Sequence, residues 1–111
     1  MTLIKIAQVD EFNIGEQKRI LIRGREVLLF NIHNTYFAIE NKCSHQGCLL
    51  HRGTVEKYCI RCPRHGSLID IRTGEVKQTI KNGRTIIKAH DVCCYPVHIQ
   101  GNDIFIDVTN K

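Results

Sequence analysis

Two short runs of this chain carry Cys and His at spacings that could do chemistry. Cys43-Ser44-His45 is followed, after residues 46–61, by Cys62-Pro63-Arg64-His65. Each run brings a soft thiolate and a borderline imidazole onto one tight loop, and two such loops can converge on a single metal centre. Cys-x-His sets two ligands on one knuckle at a strand end, and Cys-x-x-His lets a turn aim two side chains inward. Gly47 and Gly66 come after the two histidines, where a tightly turning loop favours residues without a Cβ. Pro63 removes a backbone donor and stiffens the second loop. A [2Fe–2S] cluster, with both thiolates on one iron and both imidazoles on the other, suits this donor set. The rival is a structural zinc module built on the same four residues. Zinc knuckles favour Cys-x2–4-Cys paired with His-x3–5-His, whereas here each knuckle mixes the two ligand types.

Loops of this kind need a rigid frame, and the rest of the sequence reads as β-structure. Short runs rich in β-branched and aromatic residues alternate with turn residues. Strands are expected at Leu3–Ala7, Arg19–Arg23, Glu26–Ile32, Tyr36–Ile39, Val55–Arg61, Ser67–Ile71, Thr85–Lys88, Tyr95–Ile99 and Ile104–Val108. Gly24-Arg25, His33-Asn34-Thr35 and Gly101-Asn102-Asp103 are the expected hairpin turns. No segment has the length and period of a helix. Eight or nine short strands at this spacing predict an all-β antiparallel sandwich or barrel. Residues Asn41–Arg64 interrupt the pattern with four of the six Cys and two of the six His, so they should form a small lobe of their own.

The chain has 111 residues, enough for one domain over 1–111 that buries roughly two-thirds of its unfolded surface. Hydrophobic content of 42% and charged content of 24% are those of a globular protein. No apolar run approaches the ~20 residues of a membrane helix. The N-terminus runs straight into a strand pattern rather than a signal peptide, so a cytoplasmic location is expected and disulfides are not. Six Cys and six His in such a chain again point to metal.

Taken together, Cys43-Ser-His-Gln-Gly, Cys62-Pro-Arg-His-Gly-Ser-Leu-Ile-Asp and Thr73-Gly74 resemble the cluster-binding boxes of the Rieske family. The resemblance is close over residues 41–74 and looser in the flanking strands. It implies a β-sandwich or barrel with a small cluster-binding lobe, at about 41–74, formed by two loops. It also implies one [2Fe–2S] cluster, ligated at one iron by Cys43 and Cys62 and at the other by His45 and His65. Short chains of this kind resemble ferredoxins that shuttle one electron from a reductase to an oxygenase; a fixed electron-transfer subunit of a larger oxidase or reductase is the alternative. Catalysis by this chain alone is not expected, because a mononuclear 2-His-1-carboxylate iron site with its own domain does not fit in the remaining length.

Departures from the family pattern are informative. High-potential members add a disulfide between the loops; Cys48 matches its first half, but Arg64 stands at the second. Cys48 is then a small buried hydrophobe or a reactive thiol. Ser67 matches a serine that bonds a bridging sulfide in that group, while Ile69 replaces the accompanying tyrosine. With one donor kept, the potential should fall in the lower to middle part of the Rieske range of about −150 to +300 mV.

The other candidates read as ordinary. Cys59 should be core, and of Cys93-Cys94 one should be core and one exposed. His33, His51, His90 and His98 are not expected to touch metal. Tyr95-Pro96 is either a third loop over the cluster or the start of a strand. The net charge is +5, and Lys42, Arg52, Lys57, Arg61 and Arg64 face only Glu56 between the two loops. These cations are scattered over β segments without interleaved exposed aromatics, which argues against nucleic acid. An acidic redox partner, met transiently by a monomer, fits them better.

Overall fold

In the computed structural model, the described residues are 1–42, 49–62, 67–78, 80–81, 84–85 and 92–109. Their strands are β1 (Leu3–Gln8), β2 (Gln17–Ile22), β3 (Arg25–Ile32), β4 (Thr35–Glu40), β5 (Thr54–Glu56), β6 (Cys59–Arg61) and β7 (Leu68–Asp70). They continue with β8 (Val76–Gln78), β9 (Ile80–Lys81), β10 (Arg84–Thr85), β11 (Cys94–Tyr95), β12 (Val97–Gln100) and β13 (Asp103–Asp107). Two single turns of 3-10 helix lie at Val9–Glu11 and Leu50–Arg52. The strands pair antiparallel into sheets ordered β1-β13-β12, β11-β4-β3-β2, β5-β6-β7-β8 and the short ribbon β10-β9. The expected all-β antiparallel class holds.

Strand β3 explains how these sheets stack. Its run Val27-Leu28-Leu29-Phe30 is apolar at every position, which a strand with one wet face would not be. Successive side chains point to opposite faces, and here both faces are buried. Val27 and Leu29 pack with Ala7, Ala38, Tyr95, Ile104 and Ile106. Leu28, Phe30 and Ile32 pack with Ile39, Leu50, Ile60, Ile69 and Ile71. The β2-β3-β4-β11 sheet is therefore a middle layer, with the β1-β13-β12 sheet on one side and the β5–β8 sheet on the other. Each fully buried Leu or Ile contributes about 2 kcal/mol.

Turn chemistry moves several expected boundaries. The β2–β3 turn is Arg23-Gly24, one residue earlier than expected, with Ile22 opposite Arg25. Both turn residues have positive φ, +49° and +78°, as a two-residue hairpin matched to strand twist requires. His33-Asn34 makes the same kind of turn between β3 and β4. Val55–Arg61 is not one strand: Lys57 takes φ +58° and the chain reverses, pairing Glu56 with Cys59. Tyr95–Ile99 is also divided. Tyr95 pairs with Ala38 in the middle sheet and Val97 pairs with Ile106 in the outer one. Pro96, which has no N–H to give a ladder, sits where the chain changes sheets. Strand β8 is not apparent in the sequence pattern, and of Thr85–Lys88 only Thr85 falls within the described residues.

Candidate metal centre

The second ligand loop is framed by β6 and β7, which pair Arg61 with Leu68. The Cys62 amide donates to the Ser67 carbonyl at 2.7 Å and closes the loop at its neck. Cys62 is buried in the core of the β5–β8 lobe and takes part in no disulfide among the described residues. Gly53 presses on the strand just before it: a Cβ at Gly53 would stand 2.1 Å from the Arg61 carbonyl oxygen. The 3-10 turn Leu50–Arg52 thus lies against the strand carrying Cys62, with Leu50 wholly buried.

Ser67 is 1% exposed, and its hydroxyl has no hydrogen-bond partner among the described residues. A buried hydroxyl left unpaired costs about 1–3 kcal/mol, so it should have an acceptor beyond those residues. A cluster sulfide is such an acceptor. The buried thiol of Cys62 and the unpaired hydroxyl of Ser67, on the two sides of one loop neck, fit an iron–sulfur centre. Cys43, His45 and His65 lie outside the described residues, as do Gly47, Cys48, Pro63, Arg64 and Gly66.

Substituting Ser67 with Ala tests that fit. Hydrogen bonds to cluster sulfurs stabilise the more negative reduced form. Losing a bond strengthened by about 1 kcal/mol on reduction should lower a one-electron potential by roughly 40 mV. Protein-film voltammetry of Ser67→Ala reads the shift, and an unchanged potential would show that the hydroxyl does not reach the cluster. Stability should hold or rise slightly, since no described protein group is stranded.

The run Asp70-x-x-Thr73-Gly74 proves to be a brace behind the site. Asp70 is buried, and its carboxylate accepts from the Arg72 amide at 2.8 Å and from the Arg72 guanidinium at 3.0 Å. Burial alone would raise its pKa. The hydrogen bonds from Arg72, helped by the charges of Arg72 and Lys77, outweigh burial and hold the carboxyl below the ordinary range. The brace therefore stabilises the fold at neutral pH and is lost as the pH falls through the lowered pKa. Arg72 also stacks over Tyr58 at 4.6 Å, and Tyr58 meets Phe37 of β4 edge-on. The Gly74 carbonyl then accepts from the Val92 amide at 2.7 Å, joining the lobe to the segment that leads into β11.

The remaining sequence candidates divide cleanly. Cys59 is half-buried rather than core, its thiol pKa raised by burial and by the Asp70 charge. Cys93 and Cys94 are both half-buried, one packed against each core, instead of one inside and one out. Adjacent residues in an extended segment face opposite ways, and here each way leads to a core. Tyr95 is buried in the core toward β1 and β13 and belongs to strand β11, with Pro96 joining it to β12. His33 is a turn residue and His98 lies in β12; His90 is outside the described residues. Arg61 is not an open docking charge, because Glu56 accepts from it at 2.7 and 3.2 Å. Lys42, Arg52 and Lys57 are exposed. His51 makes contacts that the spacing of ligand types gave no reason to expect. Among the described residues no helix is long and apolar enough to cross a membrane.

Comparison with known proteins agrees with this geometry. Residues 2–96 match the model of the Rieske [2Fe-2S] domain. The biphenyl dioxygenase ferredoxin subunit of Pseudomonas sp. (strain KKS102) is 28% identical over 96% of this chain and 93% of its own length. The 3-phenylpropionate/cinnamic acid dioxygenase ferredoxin subunit of Escherichia coli (strain K12) is 32% identical, over 93% and 88%. Among solved structures, the ferredoxin of carbazole 1,9a-dioxygenase from Nocardioides aromaticivorans IC177 superposes with a TM-score of 0.79 at 26% identity. That match covers 96% of this chain and 97% of the other. By sequence model, by relatives and by the frame around Cys62 and Ser67, the chain belongs to the Rieske [2Fe–2S] domain family.

Proposed function

We propose that this chain is a one-electron carrier that receives its electron from a reductase and delivers it to an oxygenase. The observation that carries the reading is the buried pair Cys62 and Ser67 at one loop neck, in a chain that matches dioxygenase ferredoxin subunits over nearly their whole length. The cofactor is one [2Fe–2S] cluster of the Rieske type, which displaces the zinc reading. Bound, it takes up and gives back a single electron. Cys43 and Cys62 are read as the ligands of one iron, and His45 and His65 as those of the other. The chain's own contribution is positional. The Cys62–Ser67 hydrogen bond holds the second loop, and burial of Cys62 keeps water from the thiolate side. Ser67 offers its hydroxyl to the cluster, with Pro63, Gly47 and Gly66 shaping the loops.

We read residues 1–111 as one domain, a reading supported by β3, whose two faces serve both cores. A monomer in the cytoplasm fits the free thiols of Cys59, Cys93 and Cys94. The docking face would present Lys42, Arg52 and Lys57 to an acidic partner, with Arg64 as a further candidate. Arg61 contributes less, since Glu56 already neutralises it.

Coulometric titration should reduce the chain by one electron, and stopped-flow mixing with a Rieske oxygenase should reoxidise it. Lys42→Glu with Arg52→Glu should slow that step about tenfold at low ionic strength and flatten its salt dependence, because screened attraction no longer assists encounter. Uptake of two electrons would overturn the carrier reading. Unchanged kinetics would mean that these cations are only a solvated face.

A further inference from the structure

His51 is not among the residues read as ligands, yet it ties three segments together beside the first ligand loop. Its backbone N–H donates to Asn41 Oδ1 at 2.9 Å, and its carbonyl accepts from Gln17 Nε2 at 3.2 Å. Its ring nitrogens face Asn41 Nδ2 at 3.0 Å, from Nδ1, and Arg19 Nη1 at 3.2 Å, from Nε2. Gln17 and Arg19 belong to β2, Asn41 follows β4, and His51 lies in the 3-10 turn that follows the first loop.

Both groups facing the ring are N–H donors, and a neutral imidazole has one acceptor nitrogen. Only one of them can be satisfied. The Asn41 amide cannot turn over, because its oxygen is fixed by the His51 backbone N–H, so Nδ2 must face the ring. Asn41 is 2% exposed, and an unmet N–H there would cost its full desolvation penalty. Arg19 is exposed and has the Glu26 carboxylate at 3.4 Å. Nδ1 therefore accepts from Asn41, and Nε2 carries the ring proton.

We infer that His51 is the positioning residue of the first ligand loop: paired twice with the buried Asn41 amide, it closes residues 42–50 at their neck and ties that neck to β2. Asn41 stands two residues before Cys43, and its own amide is anchored on the Glu26 carbonyl at 2.8 Å. The Asn41–His51 pair therefore fixes the described chain on both sides of the run that carries Cys43 and His45. The two loops thus have matched necks, Asn41 with His51 for the first and Cys62 with Ser67 for the second. The inference rests on the ligand reading proposed above.

The side-chain geometry of substitutes separates positioning from mere packing. Asparagine puts an amide oxygen close to the place of Nδ1, glutamine puts one close to Nε2, and phenylalanine keeps a ring without either. Chelator-driven bleaching of the holoprotein should be within twofold of wild type for His51→Asn. It should be about tenfold faster for His51→Gln and His51→Phe. Amide exchange at residue 51 should rise in the same two variants. Long-range 15N spectra of the oxidised holoprotein should show the proton on Nε2. Bleaching of His51→Phe at the wild-type rate, bleaching of His51→Asn as fast as that of His51→Phe, or a proton on Nδ1 would each overturn the inference. Failure of the ligand reading looks different: Cys43→Ser would keep its cluster, while the ring proton of His51 would be unmoved.

Discussion

Chains carrying Cys62→Ser should purify without the visible absorption of a Rieske cluster and without its reduced electron-spin signal, while their far-ultraviolet dichroism stays that of the native chain. The thiolate is the ligand that iron prefers here, and a serine hydroxyl at neutral pH is not ionised to replace it. The substitution is nearly isosteric at a site that is 1% exposed, so the fold should lose only about 1–2 kcal/mol for the buried polar group. Loss of colour with retained structure therefore isolates ligation from folding. Cys43→Ser, His45→Ala and His65→Ala should behave alike, because a centre of four ligands missing one does not keep its signature. The matched controls are Cys59→Ser, Cys93→Ser and Cys94→Ser, all half-buried thiols outside the two Cys/His runs; each should stay red-brown. Cys48→Ser decides the first loop. If Cys48→Ser bleaches the protein and Cys43→Ser does not, the first thiolate ligand is Cys48.

The two Cys/His boxes stand out in the sequence because a metal centre requires particular residue types at particular spacings. The strands are legible for a similar reason: alternation in Ile104–Val108 is forced by one buried face, although in Leu3–Ala7 a bulge between Lys5 and Ala7 turns both Ile6 and Ala7 to the same core. The continuous apolar run of β3 identifies a strand, but it does not reveal what covers each side. That depends on where β1, β13 and the β5–β8 sheet fold back, which is a matter of long-range pairing. Turn positions slip by a residue because positive φ falls on Arg23 and Lys57, residue types that carry no turn signal. The division at Pro96 is visible as a proline but not as a change of sheet. Hardest to foresee are the polar contacts behind the site. Asn41 and His51 look like any surface polar residues until the fold pairs them, and Asp70, although it ends the second box, gives no sign in the sequence that its partner is Arg72.

Gly74→Ala should cost about 3 kcal/mol in urea unfolding, where the same change at Gly24 should cost about 1. Both glycines have left-handed backbone, with φ of +80° at Gly74 and +78° at Gly24. An alanine in that region pays roughly 1 kcal/mol in steric strain at either place. The surroundings then separate them. At Gly24 an added methyl group would meet nothing within 4 Å, since the β2–β3 turn projects into solvent. At Gly74 the same methyl would stand 2.0 Å from the Val92 carbonyl oxygen, backbone that cannot rotate away. Relieving that contact means moving Val92, whose amide bonds the Gly74 carbonyl at 2.7 Å. Val92 is also buried in the lobe core and leads directly into β11 beside β4. The cost is therefore a broken hydrogen bond and a displaced core residue added to the strain, which brings the total to about 3 kcal/mol. Because Gly74 joins the Asp70–Arg72 turn to the approach to β11, its loss should also hasten cluster release, while Gly24→Ala should leave release unchanged. Equal costs at the two positions would mean that residue 92 yields freely, and that the brace behind the cluster is not rigid.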